Sequence, residues 1–310
     1  MGILVKSYDV NFIFGKEIMM KKKWISVCLI LCLVMTTACA KEPAKSEGNS
    51  AQGVLPLKTG ILSRSAVSEE ESEKAIGEHT MSHVNGDMTF ELTFYDNMSS
   101  MLMALQAKDI YVMILADSVA EYIVAQNDSL MIAPEREGEG LDQNIASYQM
   151  MMKEEDTDIH QKFNDAIVEL KEEGIIDQLI ETHIKGHTDG SNPQPVEIPV
   201  TDGADTVKVA VTGDLPPLDF VAADGTPAGF NMALLAEIAK KANVNIEVVQ
   251  VDTGARAAAL TSDRADVIFW VNSNSCSVHG DIEKGSDIPE GTITTEPYFS
   301  ESMSFVTFKQ

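Results

Sequence analysis

Positive charge is scarce in this sequence. The 310 residues contain 23 lysines and arginines against 48 aspartates and glutamates, which gives a formal net charge of −25. A chain this acidic is a poor candidate for nucleic-acid binding, because the phosphate backbone would repel it. The charge balance is typical of a soluble extracytoplasmic domain, and we expect no nucleic-acid partner.

Cysteine is also rare, with four residues in the chain. Cys28 and Cys32 lie in an apolar leader and Cys39 directly follows it, so only Cys276 belongs to the folded part. The sequence therefore excludes an intrachain disulfide and a cysteine metal site there. The six histidines show neither metal-ligand spacing nor a catalytic partner. We expect no metal and no other cofactor.

The apolar run near the N-terminus is too short for a typical membrane span. It covers residues 24–35 and follows Lys21, Lys22 and Lys23, which is the pattern of a secretory signal peptide. A start-like pair of methionines at 19–20 suggests that residues 1–18 are a start-site overcall. Without the net charge of +3 in residues 1–38, the mature chain carries about −28.

The end of the leader predicts a membrane anchor. Thr36-Thr37-Ala38-Cys39 resembles the lipobox of bacterial lipoproteins, in which the cysteine is lipidated, here Cys39. The mature protein would then be anchored to the outer face of the cell membrane. Plain cleavage near Ala38, giving a free periplasmic protein, is the alternative. Residues 39–54 are polar and rich in small residues, and we interpret them as a flexible tether.

The remainder of the chain alternates strands with helices, which indicates an α/β fold with parallel sheets. Its two halves follow the same plan. Predicted strands in the first half are 57–62, 89–95 and 110–115, with helices at 69–78, 97–107 and 119–127. A strand at 144–152 and helices at 158–173 and 175–184 follow. The second half has predicted strands at 207–211, 246–251 and 267–271, with helices at 230–242 and 256–261.

These patterns divide the chain into segments. We expect an α/β domain over 55–143, a strand with two closing helices over 144–185, a proline-bearing linker over 186–205 and a second α/β domain over 206–310. Both halves also share a short signature. A helix ends in Ala-Leu and an aspartate opens a buried strand, at Ala104-Leu105 before Asp109 and at Ala259-Leu260 before Asp266.

Residues 206–308 carry several family motifs: Asp214 to Phe220 (DLPPLDF), Asp224-Gly225, Gly229-Phe230, Arg256 to Leu260 (RAAAL), Asp266-Val267-Ile268 and Glu296 to Phe299 (EPYF). This segment resembles the first lobe of the family 3 extracellular solute-binding proteins of ABC importers, and residues 57–185 resemble the rest of that family. The resemblance implies the two-lobed, type II periplasmic-binding-protein fold. It also implies a small polar solute that binds between the lobes, which close over it, and ABC permease subunits as partners.

The lobes stand in an unusual order. The family normally begins with its first lobe, whereas this chain begins with the second and ends with the first, so it looks circularly permuted. We then expect helices 158–184 to pack on the 206–300 lobe and strand 303–308 to cross to the other lobe. A single monomeric unit is the preferred interpretation. The alternative is a pair of half-proteins that exchange lobes between molecules.

The resemblance also assigns candidate ligand contacts. Asp117 matches the acid that holds the amino group of a ligand, with a helix N-cap as the alternative. Ser65 matches a hydroxyl contact to a carboxylate, and Asn272 and Ser273 match the segment of the first lobe that binds the same group. Asp214 begins the loop expected to form one lip of the cleft.

Two departures from the family pattern make a standard α-amino acid less certain as the solute. Val278 stands near the place of the family's arginine, and Leu215 replaces the stacking aromatic. Arg256 and Arg64 could compensate as carboxylate forks, with a surface role as the alternative for each. Trp270 could offer a ring face to the ligand or simply pack in the core.

Three functions follow from these observations. The first is a lipid-anchored binding protein for a small, carboxylate-bearing, amino-acid-like solute that supplies an ABC importer. The second is a sensor or interaction module with a degenerate pocket. The third is an enzyme on the same fold, similar to the cyclohexadienyl dehydratases, although Asp117 and Asp214 are the only acid–base candidates. We expect a protein without enzymatic activity.

Overall fold

A computed structural model describes residues 56–63, 81–83, 86–88, 90–134, 146–272 and 289–309. All of these residues belong to one unit, Gly53–Gln310. Within these ranges, none of the helices combines the length and apolar character that crossing a membrane requires. Four predicted features lie outside the described residues: the leader, the tether, lipidation at Cys39 and the helix 69–78.

The described residues form sixteen strands and six helices. The strands are β1 (Leu57–Leu62), β2 (Met81–His83), β3 (Gly86–Met88), β4 (Phe90–Tyr95), β5 (Val112–Ala116), β6 (Leu130–Ile132), β7 (Ala146–Lys153), β8 (Thr206–Val211), β9 (Asp214–Leu215), β10 (Asp219–Val221), β11 (Pro227–Ala228), β12 (Asn245–Gln250), β13 (Val267–Asn272), β14 (Thr292–Thr294), β15 (Phe299–Glu301) and β16 (Met303–Phe308). The helices are α1 (Met98–Ala107), α2 (Asp117–Gln126), α3 (Thr157–Glu172), α4 (Ile175–Leu179), α5 (Phe230–Ala242) and α6 (Arg256–Thr261).

Two large sheets share one plan. The first has the strand order β4-β1-β5-β16-β6, and the second has the order β12-β8-β13-β7-β14. In each sheet the first three strands are parallel and the fourth is antiparallel. The predicted α/β class with two similar sheets is therefore confirmed.

The antiparallel strand of each sheet comes from the other half of the chain. Strand β16, near the C-terminus, pairs with β5 and β6, with Phe305 opposite Ile114. Strand β7, which follows the first half, pairs with β13, with Met151 opposite Ile268. The chain therefore crosses between the two sheets, and strand β16 lies where the sequence places it.

The closing helices pack against the second sheet's helix α5. The residues Phe163, Ala166, Ile167 and Leu170 of α3 are all buried, at the spacing of one helical face. Lys241 of α5 makes ion pairs with Glu169 and Glu173 at 3.3 and 2.5 Å. Beyond α4, the backbone continues as a π-helical turn, Ile180–Ile184, instead of the regular helix predicted to residue 184.

Strand β5 shows how burial selects the sequence. All five of its residues, VMILA, are buried, because strands flank it on both sides and helices α1 and α2 pack against it. A strand covered in this way needs no polar face, which explains its continuous apolar run. It begins at Val112, two residues after the predicted start, and α2 begins at Asp117, two residues earlier than predicted.

The predicted linker lies along the second half. The Val196 N–H donates to the Pro227 carbonyl at 2.8 Å. The Asn245 side chain accepts from the Thr201 N–H at 2.7 Å and donates to the carbonyls of Thr201 and Ala204 at 3.1 and 3.0 Å. These bonds satisfy backbone groups of a segment whose regular structure is limited to the end of a 3-10 turn, Lys185–His187, and an isolated bridge from Pro195 to Ala228.

Candidate functional site

The carboxyl ends of the parallel strands of the two sheets meet. Asp96 follows β4, and its carbonyl accepts from the Thr253 N–H at 2.8 Å. Thr253 lies in a short 3-10 turn shortly after β12. In addition, the Asp214 carboxylate accepts from the Met98 N–H at 2.7 Å. Loops at the carboxyl ends of such strands are where ligands of open α/β sheets bind.

The chain crosses between the sheets on the opposite side of the same region. Ser302 links β15, which pairs in the second sheet, to β16, which pairs in the first. Its carbonyl accepts from the Asp117 N–H at 3.0 Å. Strand β1 lies between β4 and β5, so its carboxyl end at Ser63 lies between the crossing and the contact made by Asp96. The candidate site is the space between these two boundaries.

Asp117 lies at the crossing side of this site. It is the first residue of α2 and is half-buried. Its Oδ1 accepts from the Ser304 hydroxyl at 2.6 Å. The preceding residue, Ala116, occupies the N-cap position, and its own side chain makes no capping bond. The N-cap interpretation of Asp117 is therefore wrong, because its carboxylate bonds to β16 instead of to its own helix.

Three carboxylates cluster around the start of α2, and we call Asp117, Glu121 and Glu301 the acidic group. The partly buried Glu301 accepts from Ser118, from its N–H at 2.8 Å and from its hydroxyl at 3.1 Å. Burial raises the pKa of Glu301 to about 8, and the charges of Asp117 and Glu121 add to the rise. The two bonds from Ser118 oppose it. Burial and then Asp117 also raise the pKa of Glu121.

No described lysine or arginine forms an ion pair with the acidic group. The helix N-terminus compensates part of its negative charge, since the partial positive charge there favours anions. The remaining excess of negative charge is suited to a cationic group. Within the described ranges, no three histidine, cysteine, aspartate or glutamate side chains are arranged to hold a metal ion.

Asp214 lies on the other side of the site and reaches the start of α1. Besides the Met98 N–H, its carboxylate accepts the N–H of Ser99. Burial raises the pKa of Asp214, and the two main-chain bonds oppose that rise, while the nearby Asp252 adds to it. A cavity of about 410 Å³ adjoins this contact, with Asp214, Asp252 and Arg264 among its lining residues.

Two predicted ligand contacts are wrong. Leu215 is fully buried in the hydrophobic core, so it has no surface to offer a ligand. Arg256 is only 3% exposed, and it donates to the carbonyls of Thr253 and Phe269 at 3.0 and 3.2 Å. Neither a carboxylate fork in an open cleft nor a surface position fits that burial, and Arg256 instead ties the 3-10 turn to β13.

The other predicted contacts cannot be placed as side chains. Arg64, Ser65 and Ser273 lie outside the described residues. Trp270 and Asn272 belong to β13, where Asn272 pairs with Tyr148, but the description does not extend to their side chains. In the sequence, Arg64 and Ser65 come directly after Ser63 at the end of β1, and Ser273 comes directly after β13.

Sequence reasoning missed Glu301, Ser304 and Gly254. Glu301 and Ser304 flank the crossing between the sheets. The permuted order of lobes predicted that crossing without indicating which side chains face Asp117. Gly254 is a signal for close approach, because a Cβ on it would lie 2.7 Å from Asp96 Oδ1. A glycine in the sequence identifies a close approach only when the neighbouring residue, here Asp96, is known from the structure.

Residues 207–275 match the sequence model of the bacterial extracellular solute-binding proteins, family 3. The predicted resemblance is confirmed for that part of the second half. No curated protein matches the chain at a significant level.

Several solved structures align with the chain at low sequence identity. A zinc-bound ligand-binding component of an ABC-type import system from Staphylococcus aureus is 10% identical with a TM-score of 0.44, and the match covers 81% of this chain and 65% of that one. The GluR0 ligand-binding core in complex with L-glutamate is 11% identical with a TM-score of 0.40, covering 83% and 86%. A probable amino-acid ABC transporter extracellular-binding protein from Bacillus subtilis is 12% identical with a TM-score of 0.37, covering 83% and 86%. At this level of similarity they say nothing about the solute.

Proposed function

We propose that this chain, similar to the family 3 solute-binding proteins over residues 207–275, is an extracytoplasmic binding protein for an ABC-type importer. Its solute is small, polar and amine-bearing, and it lies between the carboxyl ends of the two sheets. The halves close over it by a hinge motion at the crossing near Ser302. The protein binds its solute without transforming it chemically.

The acidic group carries this proposal. Asp117 is half-buried at the carboxyl end of β5, and no described cation neutralises it, Glu121 or Glu301. An ammonium group at this point would form charge-assisted hydrogen bonds in a site from which closure removes water. Glu301, whose pKa is raised to about 8, holds its proton at pH 7. A bound ammonium would offset the negative charge that remains on the acidic group, so binding favours a cationic solute over a neutral one.

A carboxylate on the solute would need donors elsewhere in the site. We assign that role to Arg64 and Ser65 after β1 and to Asn272 and Ser273 at the end of β13. The burial of Arg256 and Leu215 leaves these four as the family-matched candidates. An amino-acid-like solute would then have its amine toward α2 and its carboxylate toward β1 and β13.

A thermal-shift panel of amines, amino acids and dicarboxylates tests the proposal. A solute at 100 times its Kd adds about 2.7 kcal/mol of stability, or about 5–10 °C in Tm for a protein of this size. We expect amines and amino acids to raise the Tm and dicarboxylates to leave it unchanged. The variant Asp117→Asn should lose the shift, whereas Asp128→Asn, an exposed carboxylate beyond α2, should retain it.

The outcomes separate the alternatives. A panel without any Tm shift would contradict solute binding and favour a degenerate sensor module. Product formation from prephenate or arogenate would overturn the assignment as a non-enzyme. If Asp117→Asn unfolds the protein instead of removing the shift, its bond to Ser304 is structural and the amine assignment fails.

Export, lipid anchoring and a monomeric state belong to the same proposal. We infer a lipid on Cys39, residues 39–54 as the tether and a permuted order of lobes in one chain. Pairing of the two crossing strands within one molecule is the arrangement that a monomer requires. Incorporation of a palmitate analogue that Cys39→Ala abolishes, and a monomer mass by light scattering, would support these statements; an obligate dimer would contradict the monomer.

A further inference from the structure

On the side away from the chain crossing, the two halves are joined by one main-chain bond, one bond between a side chain and the main chain, and one tight approach. Thr253 donates to the Asp96 carbonyl at 2.8 Å, and Asp214 accepts from Met98 at 2.7 Å. Gly254 lies so close to Asp96 that a Cβ would come within 2.7 Å of its Oδ1. We call these five residues the interlobe contact.

Part of this contact is shielded from water, although Asp96 and Gly254 are exposed. Thr253 is 1% exposed although it follows β12, an edge strand. Asp214 is partly buried, and its carboxylate occupies the start of α1, where main-chain N–H groups have no partners within the helix. Asn97 caps the same helix by accepting from the Ser100 N–H at 2.9 Å. The N–H groups of Met98 and Ser99 are thus satisfied by a side chain from the other half.

We propose that Asp214 is a positioning residue that latches the two halves in the closed arrangement, by accepting the first N–H groups of α1 from the opposite sheet, and that it thereby sets the affinity for solute. The inference rests on the proposed function only for its effect on affinity. A residue that stabilises the closed arrangement before the solute arrives raises the population competent to hold it, and the apparent Kd falls in proportion.

Amide hydrogen exchange of the full chain tests the latch without any solute. In Asp214→Ala, the amides of Met98, Ser99 and Thr253 should exchange at least about tenfold faster, because the contact opens locally. Asp214→Asn should restore slow exchange, since its side-chain oxygen can still accept from Met98. Asp252→Ala removes a carboxylate from the same cavity and should leave all three amides unchanged.

A second variant tests the same contact at Gly254, beside Thr253. Gly254→Leu should push Asp96 away and accelerate exchange at Met98 as well as at Thr253, because both bonds belong to one closure. Unchanged exchange at Met98 in Gly254→Leu, or wild-type exchange in Asp214→Ala, would overturn the latch. If Asp214→Ala fails to fold, the Gly254→Leu result alone decides.

Solute affinity then separates the latch from the proposed function. Any amine or amino acid that binds the wild type should bind Asp214→Ala at least about tenfold more weakly and bind Asp214→Asn normally. An Asp214→Ala protein with fast exchange and unchanged affinity would overturn the effect on affinity. If the whole panel fails to bind the wild type, the proposed function fails while the exchange rates still decide whether Asp214 holds the halves together.

Discussion

Glu301, the last residue before the chain crosses between the sheets, accepts both the N–H and the hydroxyl of Ser118, at 2.8 and 3.1 Å. A side chain of β15 thereby caps a helix that packs on the other sheet. Because two carboxylates, Glu301 and Asp214, occupy the starts of α2 and α1, the second half of the chain completes two helices of the first.

Replacing Glu301 should change how stability depends on pH. Its pKa is raised to about 8 in the folded protein, against an ordinary value of 4.5. The folded state therefore binds this proton more tightly than the unfolded state, and stability falls as the pH rises from about 4.5 to 8. Since Glu301 is partly exposed, we expect a loss of about 1–3 kcal/mol across this window.

In Glu301→Gln, that part of the pH dependence should disappear. The variant should match the wild type at pH 5 and exceed its free energy of unfolding by about 1–2 kcal/mol at pH 8. Urea denaturation at four pH values measures this difference, with the exposed Glu296→Gln as the control. Parallel curves for Glu301→Gln and the wild type would show that Glu301 does not hold the proton.

Leu215→Ala should weaken the fold without changing what binds. The side chain is fully buried in the core, so its truncation should cost about 2–5 kcal/mol in the free energy of unfolding. Leu215→Met, which conserves volume, should cost less than about 1.5 kcal/mol. Both variants should show the wild-type order of thermal shifts across the solute panel. A changed order would restore Leu215 as a ligand contact.

Asp219→Ala should be strongly destabilising. Asp219 is 1% exposed and accepts from the N–H and hydroxyl of Thr212 and from the N–H of Gly213, at 3.0, 3.1 and 3.2 Å. Removing the carboxylate leaves buried donors without a partner, which we expect to cost about 2–5 kcal/mol. Urea denaturation at pH 7 measures the loss. Asp224 is an exposed aspartate of the same hairpin, so Asp224→Ala should change the free energy of unfolding much less.

Gly229→Ala should disturb the start of α5. Gly229 has a φ of 90°, and a Cβ would lie 2.6 Å from the Pro217 carbonyl oxygen. That oxygen accepts from the Phe230 N–H at 3.0 Å, so the clash falls on the bond that begins the helix. We expect a loss of about 2–4 kcal/mol by urea denaturation. The control is Gly203→Ala. Gly203 also has a positive φ, 78°, but a Cβ there would meet no atom within 4 Å. A comparable loss in that variant would show that backbone strain alone lowers the stability.

Local pattern was sufficient to predict most elements of the two halves. The alternation in Thr206–Val211 and the continuous apolar run in Val112–Ala116 identify two strands correctly, because burial on one face or on both acts directly on residue type. The boundaries were less accurate. Asp117 was placed before α2 as an alternative cap, whereas in the structure it is the first residue of the helix and its carboxylate bonds to Ser304.

Site prediction was less complete for a physical reason. Leu215 stands where the family has a stacking aromatic, and Arg256 was a candidate carboxylate fork, but both side chains are buried. Glu301, 184 residues after Asp117, becomes part of the acidic group only because β16 pairs with β5. Sequence spacing does not report such a distance in space.

By itself, the sequence determined the α/β class, the acidic character, the doubled plan of strands and helices and the similarity to family 3 over its second half. These features depend on periodicity, composition and short motifs, which each segment expresses locally. Tertiary structure alone decided which carboxylates share a site, that Asp214 completes α1 and that Glu301 completes α2. Those relationships arise because strands β7 and β16 exchange between two sheets, and a contact across sheets depends on how the whole chain packs.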